Sequence, residues 1–163
     1  MKAITLWQPW ASLLACGAKQ YETRSWATNY RGPIAIHTAK KDIYSIIKDL
    51  PFNVLEPMYL NLYKEMKIKS QVLKRLEQTQ GCIIATAELV NCKCILYKSD
   101  LDCIIAAERK FPDCGEFIIP TEQEKMFGDW TPGRYAWEFA NMKILKEPIP
   151  AKGKQGLWNW EEQ

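Results

Sequence analysis

One stretch near the start of the chain decides the fold, and it reads Leu6-Trp7-Gln8-Pro9-Trp10-Ala11-Ser12-Leu13-Leu14-Ala15-Cys16-Gly17-Ala18-Lys19-Gln20-Tyr21-Glu22-Thr23-Arg24-Ser25-Trp26. Pro9 suits the first turn of a helix, because its missing N–H has no intrahelical partner there. Apolar residues then recur at helical spacing, and Gly17 can take the positive φ that ends a helix. Residues 21–26 alternate, as a strand does. The stretch therefore predicts a strand, a short helix, a glycine turn and a second strand.

Three charged side chains meet at the entrance of that second strand. Lys19 lies in the turn before it, and Glu22 and Arg24 share one face, because alternate residues of a strand point the same way. Burial among aromatic rings would favour a neutral lysine that acts as a base or nucleophile, whereas a nearby carboxylate favours the ammonium. Arg24 cannot act as a base and suits the binding of an oxyanion or a phosphate. The charge state of Lys19 stays open at this stage.

The spacing of these residues resembles the hallmark of the ASCH family, a branch of the PUA-like β-barrels. The hallmark is Gly-x-Lys-x-x-Glu-x-Arg, which Gly17, Lys19, Glu22 and Arg24 match, and the preceding Trp-Gln-Pro-Trp is similar to the larger members. Further segments that fit the resemblance are residues 30–37, 127–130, 133–137 and 153–158. The resemblance implies an α+β fold, a PUA-like mixed β-barrel surrounded by several helices, and it decides against a doubly wound sheet.

Composition and charge set the limits of this interpretation. A chain of 163 residues with 47% hydrophobic and 25% charged residues suggests one globular domain over residues 1–163. No apolar run is long enough to cross a bilayer, and no apolar leader precedes the first strand, so we expect a cytoplasmic protein without a membrane partner. A net charge of +3 permits contact with phosphates without demanding it. The oligomeric state stays open.

Cysteine and histidine usage speaks against a metal centre. The six cysteines form no Cys-x-x-Cys pair, and Cys92 and Cys94 have the closest spacing, on one face of a strand. We expect reduced thiols that act as small hydrophobic residues. One histidine and scattered carboxylates make no ligand cluster, and no phosphate loop or Gly-x-Gly-x-x-Gly is present. We therefore expect neither a metal nor a cofactor.

The remaining elements follow from periodicity and turn residues. Strands are predicted at residues 2–7, 34–38, 81–95 and 134–139, the last continued by residues 142–145, and the chain closes at residues 157–160. Helices are predicted at residues 40–50, 56–78 and 99–110, and Thr121 caps a short helical turn. Loops are predicted at residues 27–33, 127–133 and 148–153.

Several further side chains are candidates for a site, each with a structural alternative. Glu88 lies on an otherwise apolar strand, so burial would require a partner, for which Lys19 or Arg24 is suited. His37 is either a structural residue or a pocket residue beside the Arg31 loop. Four aromatic residues either line a pocket on which a base stacks or pack in the core, namely Trp7, Trp26, Tyr135 and Trp137. The basic residues within 64–75 form either a solvated helix face or an RNA-backbone patch.

The resemblance implies three activities. Members are regarded as RNA-associated, some small bacterial members look like amidohydrolases acting on N4-acylated cytidine, and others are metal-dependent ribonucleases. The amidohydrolases carry a catalytic threonine where this chain has Glu22, and the neighbouring Thr23 points to the opposite face of the strand. Their third catalytic residue is a glutamate further along the chain, for which Glu88 and Glu124 are both candidates.

Two functional hypotheses from different classes result, beside a purely structural ion-pair network. The first is a module that binds RNA or a modified nucleobase in a cleft lined by Lys19, Glu22, Arg24 and aromatic residues. Its predicted ligand-binding residues are Trp7, Arg24, Trp26, Arg31, His37, Tyr135 and Trp137. The second is a hydrolase, an amidohydrolase on N4-acylated cytidine or a metal-dependent ribonuclease, with Lys19, Glu22 and Glu88 as catalytic residues and Arg24 stabilising an oxyanion.

Overall fold

A computed structural model describes residues 1–66, 71–98, 103–106 and 118–161. Its helices are α1 (Trp10–Ala15), α2 (Ile43–Ile47), α3 (Phe52–Met66), α4 (Val72–Gln78) and α5 (Glu122–Met126). Its strands are β1 (Lys2–Leu6), β2 (Tyr21–Arg24), β3 (Gly32–Thr38), β4 (Cys82–Lys98), β5 (Cys103–Ala106), β6 (Tyr135–Pro150) and β7 (Leu157–Asn159). The predicted α+β class is confirmed. None of the described helices combines the length and apolar character needed to cross a membrane.

The opening stretch folds as its sequence predicts. Helix α1 begins directly after Pro9, and all but its first residue are buried. Gly17 has φ of +75°, so the backbone turns out of the helix in the left-handed region that favours glycine. Strand β2 then alternates between buried and half-buried residues, with Tyr21 and Thr23 on the buried face. Lys19 is therefore held between a fixed turn and a strand whose two faces differ.

The strands form an open mixed sheet, and the predicted closed barrel is not seen in the described part of the chain. Hydrogen-bonded neighbours follow the order β2-β6-β4-β3-β1-β7, and β5 pairs with β4. Strands β1 and β3 are parallel, whereas β1 with β7 and β2 with β6 are antiparallel. A barrel requires its first and last strands to pair, which gives an order without ends. Here β2 and β7 are the ends.

The chain divides into two compact units. The first unit comprises Met1–Ala18, Pro33–Ala87 and Asn141–Gln163, and the second comprises Lys19–Gly32 and Glu88–Ala140. In the first unit, the buried side chains of α1, α3 and α4 include Leu13, Met58, Leu62 and Leu76.

A buried amide links α1 to the end of α4 within the first unit. Gln8 Nε2 donates to Thr79 Oγ1 at 2.8 Å, and the Ser12 backbone N–H donates to Gln8 Oε1 at 3.2 Å. Both sides of the Gln8 amide are therefore satisfied, as burial demands.

The second unit has its own core behind β2. Tyr21 packs with Ile95, Trp130 and Ala136, and the Tyr21 and Trp130 rings meet edge to face at 5.9 Å. Trp130 Nε1 donates to the carbonyl oxygen of Glu124 at 2.7 Å, which fixes the end of α5. Thr121 caps that helix by accepting the Glu124 backbone N–H, as predicted. This core sets the position of Glu124 relative to β2.

Four of the predicted elements are wrong in type or extent. The helix expected at residues 40–50 is limited to α2, Ile43–Ile47. The helix expected at residues 99–110 is a strand where it is described, because residues 103–106 pair antiparallel with β4 and Ile104 and Ile105 are β-branched; the rest of that range lies outside the described residues. Residues 56–78 belong to two helices rather than one, with residues 67–70 outside the described part. Residues 148–150 continue β6 instead of forming a loop.

We predict that a methyl group at Gly153 destabilises the first unit. A Cβ there would come within 2.7 Å of His37 Nδ1 and closer still to His37 Cε1, and the His37 ring also contacts Trp158 edge to face at 5.6 Å. Gly153→Ala should therefore lower the free energy of unfolding by about 1–3 kcal/mol in urea denaturation. In a His37→Ala background the same change should cost much less, and equal costs in the two backgrounds would contradict the clash.

Candidate functional site

The candidate site is built on one face of the β2–β6 pair in the second unit. Glu22 lies opposite Trp137, and Arg24 lies opposite Tyr135. Directly opposed residues of an antiparallel pair project to the same side, so these four side chains share a face. The other face carries Tyr21 and joins the core. The predicted sharing of a face by Glu22 and Arg24 is confirmed.

Lys19, Glu22 and Arg24 form a chain of ion pairs. Lys19 Nζ lies 3.1 Å from Glu22 Oε2 and also donates to the carbonyl oxygen of Tyr21. The other oxygen of the carboxylate, Glu22 Oε1, lies 3.3 Å from Arg24 Nε. The side chains of Lys19, Glu22 and Arg24 are 1%, 13% and 27% exposed, so the chain leads from a sealed ammonium to a partly exposed guanidinium.

Two tryptophans stand beside these charges. Trp137 is fully buried, and its ring meets that of Trp26 edge to face at 4.6 Å and 84°. Trp137 Nε1 donates to the backbone oxygen of Trp26 at 3.2 Å, which holds the two residues together. Trp26 and Tyr135 are both half-buried. Trp137 is therefore a core residue, whereas Trp26 and Tyr135 retain surface that another molecule can contact.

Glu124 is a second carboxyl group close to Lys19. Its side chain is buried, and its Oε1 accepts the backbone N–H of Gln20. Burial raises the pKa of Glu124, and the negative charge of Glu22 adds to that rise. The Gln20 N–H, the charge of Lys19 and the Tyr21 N–H act in the opposite direction. The sequence identified Glu124 only as one of two candidates for a distant catalytic glutamate.

Glu88 does not have the environment predicted for it. Its side chain is exposed, because β4 alternates at this point, with Ala87 and Leu89 buried and Val90 exposed. An exposed carboxylate needs no buried partner, so the physical reason for pairing it with Lys19 or Arg24 disappears. Glu22 is the carboxylate that meets Lys19. Glu88 is exposed because the side chains of β4 alternate here, and its predicted catalytic role stays a prediction.

Arg31 also belongs to the second unit and binds the backbone of its own loop. Its Nη1 donates to the carbonyl oxygens of Thr28 and Tyr30, at 3.0 and 2.8 Å. The side chain lies at the surface. These contacts give Arg31 a role in shaping the loop, and its predicted role in ligand binding stays a prediction.

Trp7 and His37 belong to the first unit. Trp7 is 50% exposed, and Lys41 Nζ lies 3.4 Å from the centre of its ring, a cation–π contact. His37 is buried, with Nε2 at 3.1 Å from the carbonyl oxygen of Ala151. Burial lowers the pKa of His37, which favours a neutral ring. These contacts support a structural role for His37, and its predicted role in ligand binding stays a prediction.

The sequence reasoning missed one buried ion pair. Lys93 Nζ lies 2.8 Å from Glu138 Oε2, and the Lys93 side chain is 4% exposed. Glu138 lies opposite Tyr21, and Lys93 Nζ lies 6.0 Å from the centre of the Tyr21 ring. The alternation of Cys92, Lys93 and Cys94 in the sequence could have indicated this pair, because it places the lysine on the strand face opposite the two thiols. Within the described ranges, no group of three or more His, Cys, Asp or Glu residues could hold a metal ion.

Comparison with known proteins defines the class of this fold and site. Residues 4–149 match the ASCH domain, whose fold is PUA-like, so the chain belongs to the ASCH family. A human protein, activating signal cointegrator 1, is 31% identical over 90 residues, which cover 55% of this chain and 14% of that protein. The chain therefore spans a small part of this relative's length. The predicted membership of the ASCH family is confirmed, and ASCH domains are in general associated with RNA.

We predict that the Lys19–Glu22 pair is essential to the stability of the second unit. Glu22→Gln leaves the sealed ammonium without its carboxylate, which should lower the free energy of unfolding by about 3 kcal/mol. The double variant Lys19→Met, Glu22→Gln should recover most of that loss in urea denaturation. The matched control is Glu122→Gln, which breaks the exposed Lys125–Glu122 pair and should change stability by less than about 1 kcal/mol. Similar losses in both single variants would contradict the assignment.

We predict that Glu124 makes stability depend on pH with a defined sign. Its pKa is raised in the folded state, so stability that is present at low pH is lost as pH rises from the ordinary value of 4.5 through the folded pKa. Glu124→Gln keeps an oxygen for the Gln20 N–H and cannot ionise. The stability of this variant relative to the natural chain should therefore be higher at about pH 7 than at about pH 4 in urea titrations. A difference that does not change with pH would contradict the prediction.

Proposed function

We propose that this ASCH domain binds single-stranded RNA, or a modified nucleoside within it, on the β2–β6 face. The observation that carries the proposal is the gradient of exposure along the ion-pair chain, from 1% at Lys19 to 27% at Arg24. A ligand on this face meets the guanidinium before it meets the lysine. The natural role of Lys19 and Glu22 is then to hold Arg24 in position. We assign the chain to the larger, Trp-Gln-Pro-Trp type of the family.

Arg24 has the chemistry to recognise a phosphate or a base oxygen. The contact with Glu22 is made by Nε, the inner nitrogen of the guanidinium, and the Arg24 side chain is 27% exposed. The Glu22 carboxylate attracts this group as an ion-pair partner. Pre-oriented guanidinium groups form the paired hydrogen bonds that phosphates and oxyanions accept.

Trp26 supplies the aromatic surface. Its ring is braced by the buried Trp137 at 4.6 Å and stays half-exposed. Tyr135 lies opposite Arg24 in the strand register and is half-buried as well. Unstacked bases of single-stranded RNA bind on aromatic rings beside cationic groups. The general association of ASCH domains with RNA supports the same proposal, that this chain binds RNA.

A hydrolase is the second candidate, and Glu124 favours it. This buried carboxyl has a raised pKa and is coupled electrostatically to Lys19 and Glu22, and such groups concentrate in active sites. In that function Glu124 would carry a proton and Arg24 would stabilise an oxyanion. The sealed position of Lys19 weighs against it, because a base or nucleophile must contact the substrate. The substrate would be an N4-acylated cytidine.

We predict that binding depends on Arg24 and Trp26. Fluorescence anisotropy with a labelled single-stranded RNA of about ten nucleotides measures the affinity. Trp26→Ala should cost about 1–3 kcal/mol of binding free energy, and Arg24→Gln should weaken binding by about tenfold or more. The matched control is Lys143→Gln, which removes one exposed positive charge from the first unit and should have a small effect.

The same samples separate binding from hydrolysis. Incubation with N4-acetylcytidine and mass spectrometry of the products tests for loss of the acyl group. Unchanged substrate together with Arg24-dependent RNA affinity would support the binding module. Acyl loss that disappears in a folded Lys19→Met variant would establish the hydrolase instead. Equal RNA affinity of Arg24→Gln and Lys143→Gln would overturn the proposed site.

A further inference from the structure

We propose that the first unit carries a second binding site, which takes a small organic anion with a compact apolar body. The site is a cleft of about 450 Å³ lined by parts of α1, α3, α4, β4 and β6, and all its lining residues belong to the first unit. That volume lies in the range of cavities that hold small molecules. The cleft shares no residue with the Lys19–Glu22–Arg24 chain.

The larger part of the cleft lining is apolar. Its walls include Ala15, Leu62 and Ile84, which are all buried, and Leu145 and Pro148 from β6 complete the apolar side. Apolar walls of this kind favour a ligand that loses apolar surface to them. A ligand that consists only of charged and hydroxyl groups would gain little there.

The charged groups of the cleft are both cations. Arg75 of α4 and Lys146 of β6 line it, and both side chains are exposed. Glu147, which follows Lys146 directly, and Glu77, two residues after Arg75, are not among the lining residues. Two cations at the edge of an apolar cleft attract an anionic group and leave the body of the ligand to the walls.

The hydroxyl group of Thr79, one of the polar lining groups of the cleft, is already used by the fold. Thr79 Oγ1 donates to the carbonyl oxygen of Leu76 at 2.9 Å and accepts from Gln8 Nε2 at 2.8 Å. Its hydrogen-bonding capacity is therefore mostly spent within the protein. Ser12 and Gln71 are the other uncharged polar residues of the lining. The two cations and the larger apolar surface together favour an apolar anion over a sugar-rich ligand such as a nucleotide.

The fluorescent probe 8-anilinonaphthalene-1-sulfonate tests the site, because it joins fused aromatic rings to one anionic group. We expect saturable binding whose Kd rises about tenfold in Arg75→Glu and in Lys146→Glu. Lys152→Glu, which reverses an exposed charge of the same unit outside the cleft, is the matched control and should leave the Kd unchanged. The uncharged analogue N-phenyl-1-naphthylamine should bind at least tenfold more weakly than the sulfonate. Circular dichroism confirms that each variant is folded.

The thiol of Cys16 reports where the probe binds. Cys16 lines the cleft, whereas Cys94 belongs to the second unit. Alkylation by iodoacetamide, followed for each cysteine by peptide mass spectrometry, should slow at Cys16 and not at Cys94 when the sulfonate is present. Unprotected Cys16, equal binding by Arg75→Glu and Lys152→Glu, or equal binding of the uncharged analogue would each overturn the proposal. Displacement of the probe by single-stranded RNA would do so too, and would assign Arg75 to an RNA-backbone patch.

Discussion

The ammonium group of Lys19 is the constraint on which the second unit depends. Moving such a charge out of water costs several kcal/mol unless a carboxylate and further hydrogen-bond acceptors replace the solvent. The carbonyl of Tyr21 and the carboxylate of Glu22 do so, and both are supplied by the strand that follows the lysine directly. The pairing works only if β2 is extended and presents Glu22 on the face toward the lysine. The ion pair and the strand therefore stabilise each other.

The rest of the site follows from that strand. Pairing of β2 with β6 puts Trp137 opposite Glu22, and burial shields the Lys19–Glu22 pair, whose side chains are 1% and 13% exposed, from water. Shielding strengthens the attraction and raises the cost of breaking it. The Trp26 ring packs edge to face against Trp137, and the Trp26 side chain stays partly exposed. The result is a chain of three charged side chains, with Lys19 buried at one end and Arg24 partly exposed at the other.

Local signals made much of this arrangement predictable from the sequence. Pro9, the helical spacing after it and Gly17 identified α1 and its end, and the alternation of residues 21–24 identified β2. Each of these signals affects the backbone only within a few residues of its own position, and such local signals predict secondary structure most reliably. The family resemblance added the fold class, which periodicity alone left open. The assignment of residues 1–163 to one domain stays a prediction.

The features that the sequence did not predict depend on contacts between distant residues. Residues 103–106 have apolar character that suits a helix or a strand, and pairing with β4 decides the outcome. The carboxyl group of Glu124 meets the backbone N–H of Gln20, a partner 104 positions away in sequence. The Lys93–Glu138 pair likewise joins two strands that are far apart in the chain. The exposure of Glu88 likewise depends on the packing around β4, which the sequence alone does not show.

The glutamate at position 22 changes the chemical groups that Lys19 meets, and the spacing of the motif does not show this change. A threonine there, as in the amidohydrolases that the motif resembles, would offer Lys19 a hydroxyl group and no charge. Glu22 offers two oxygens, and one binds Lys19 while the other binds Arg24. The same backbone position thus changes from a reactive partner of the lysine into a link between two cations. A carboxylate with both oxygens close to cations is suited to orient its neighbours, which is the physical basis for the proposed recognition at Arg24.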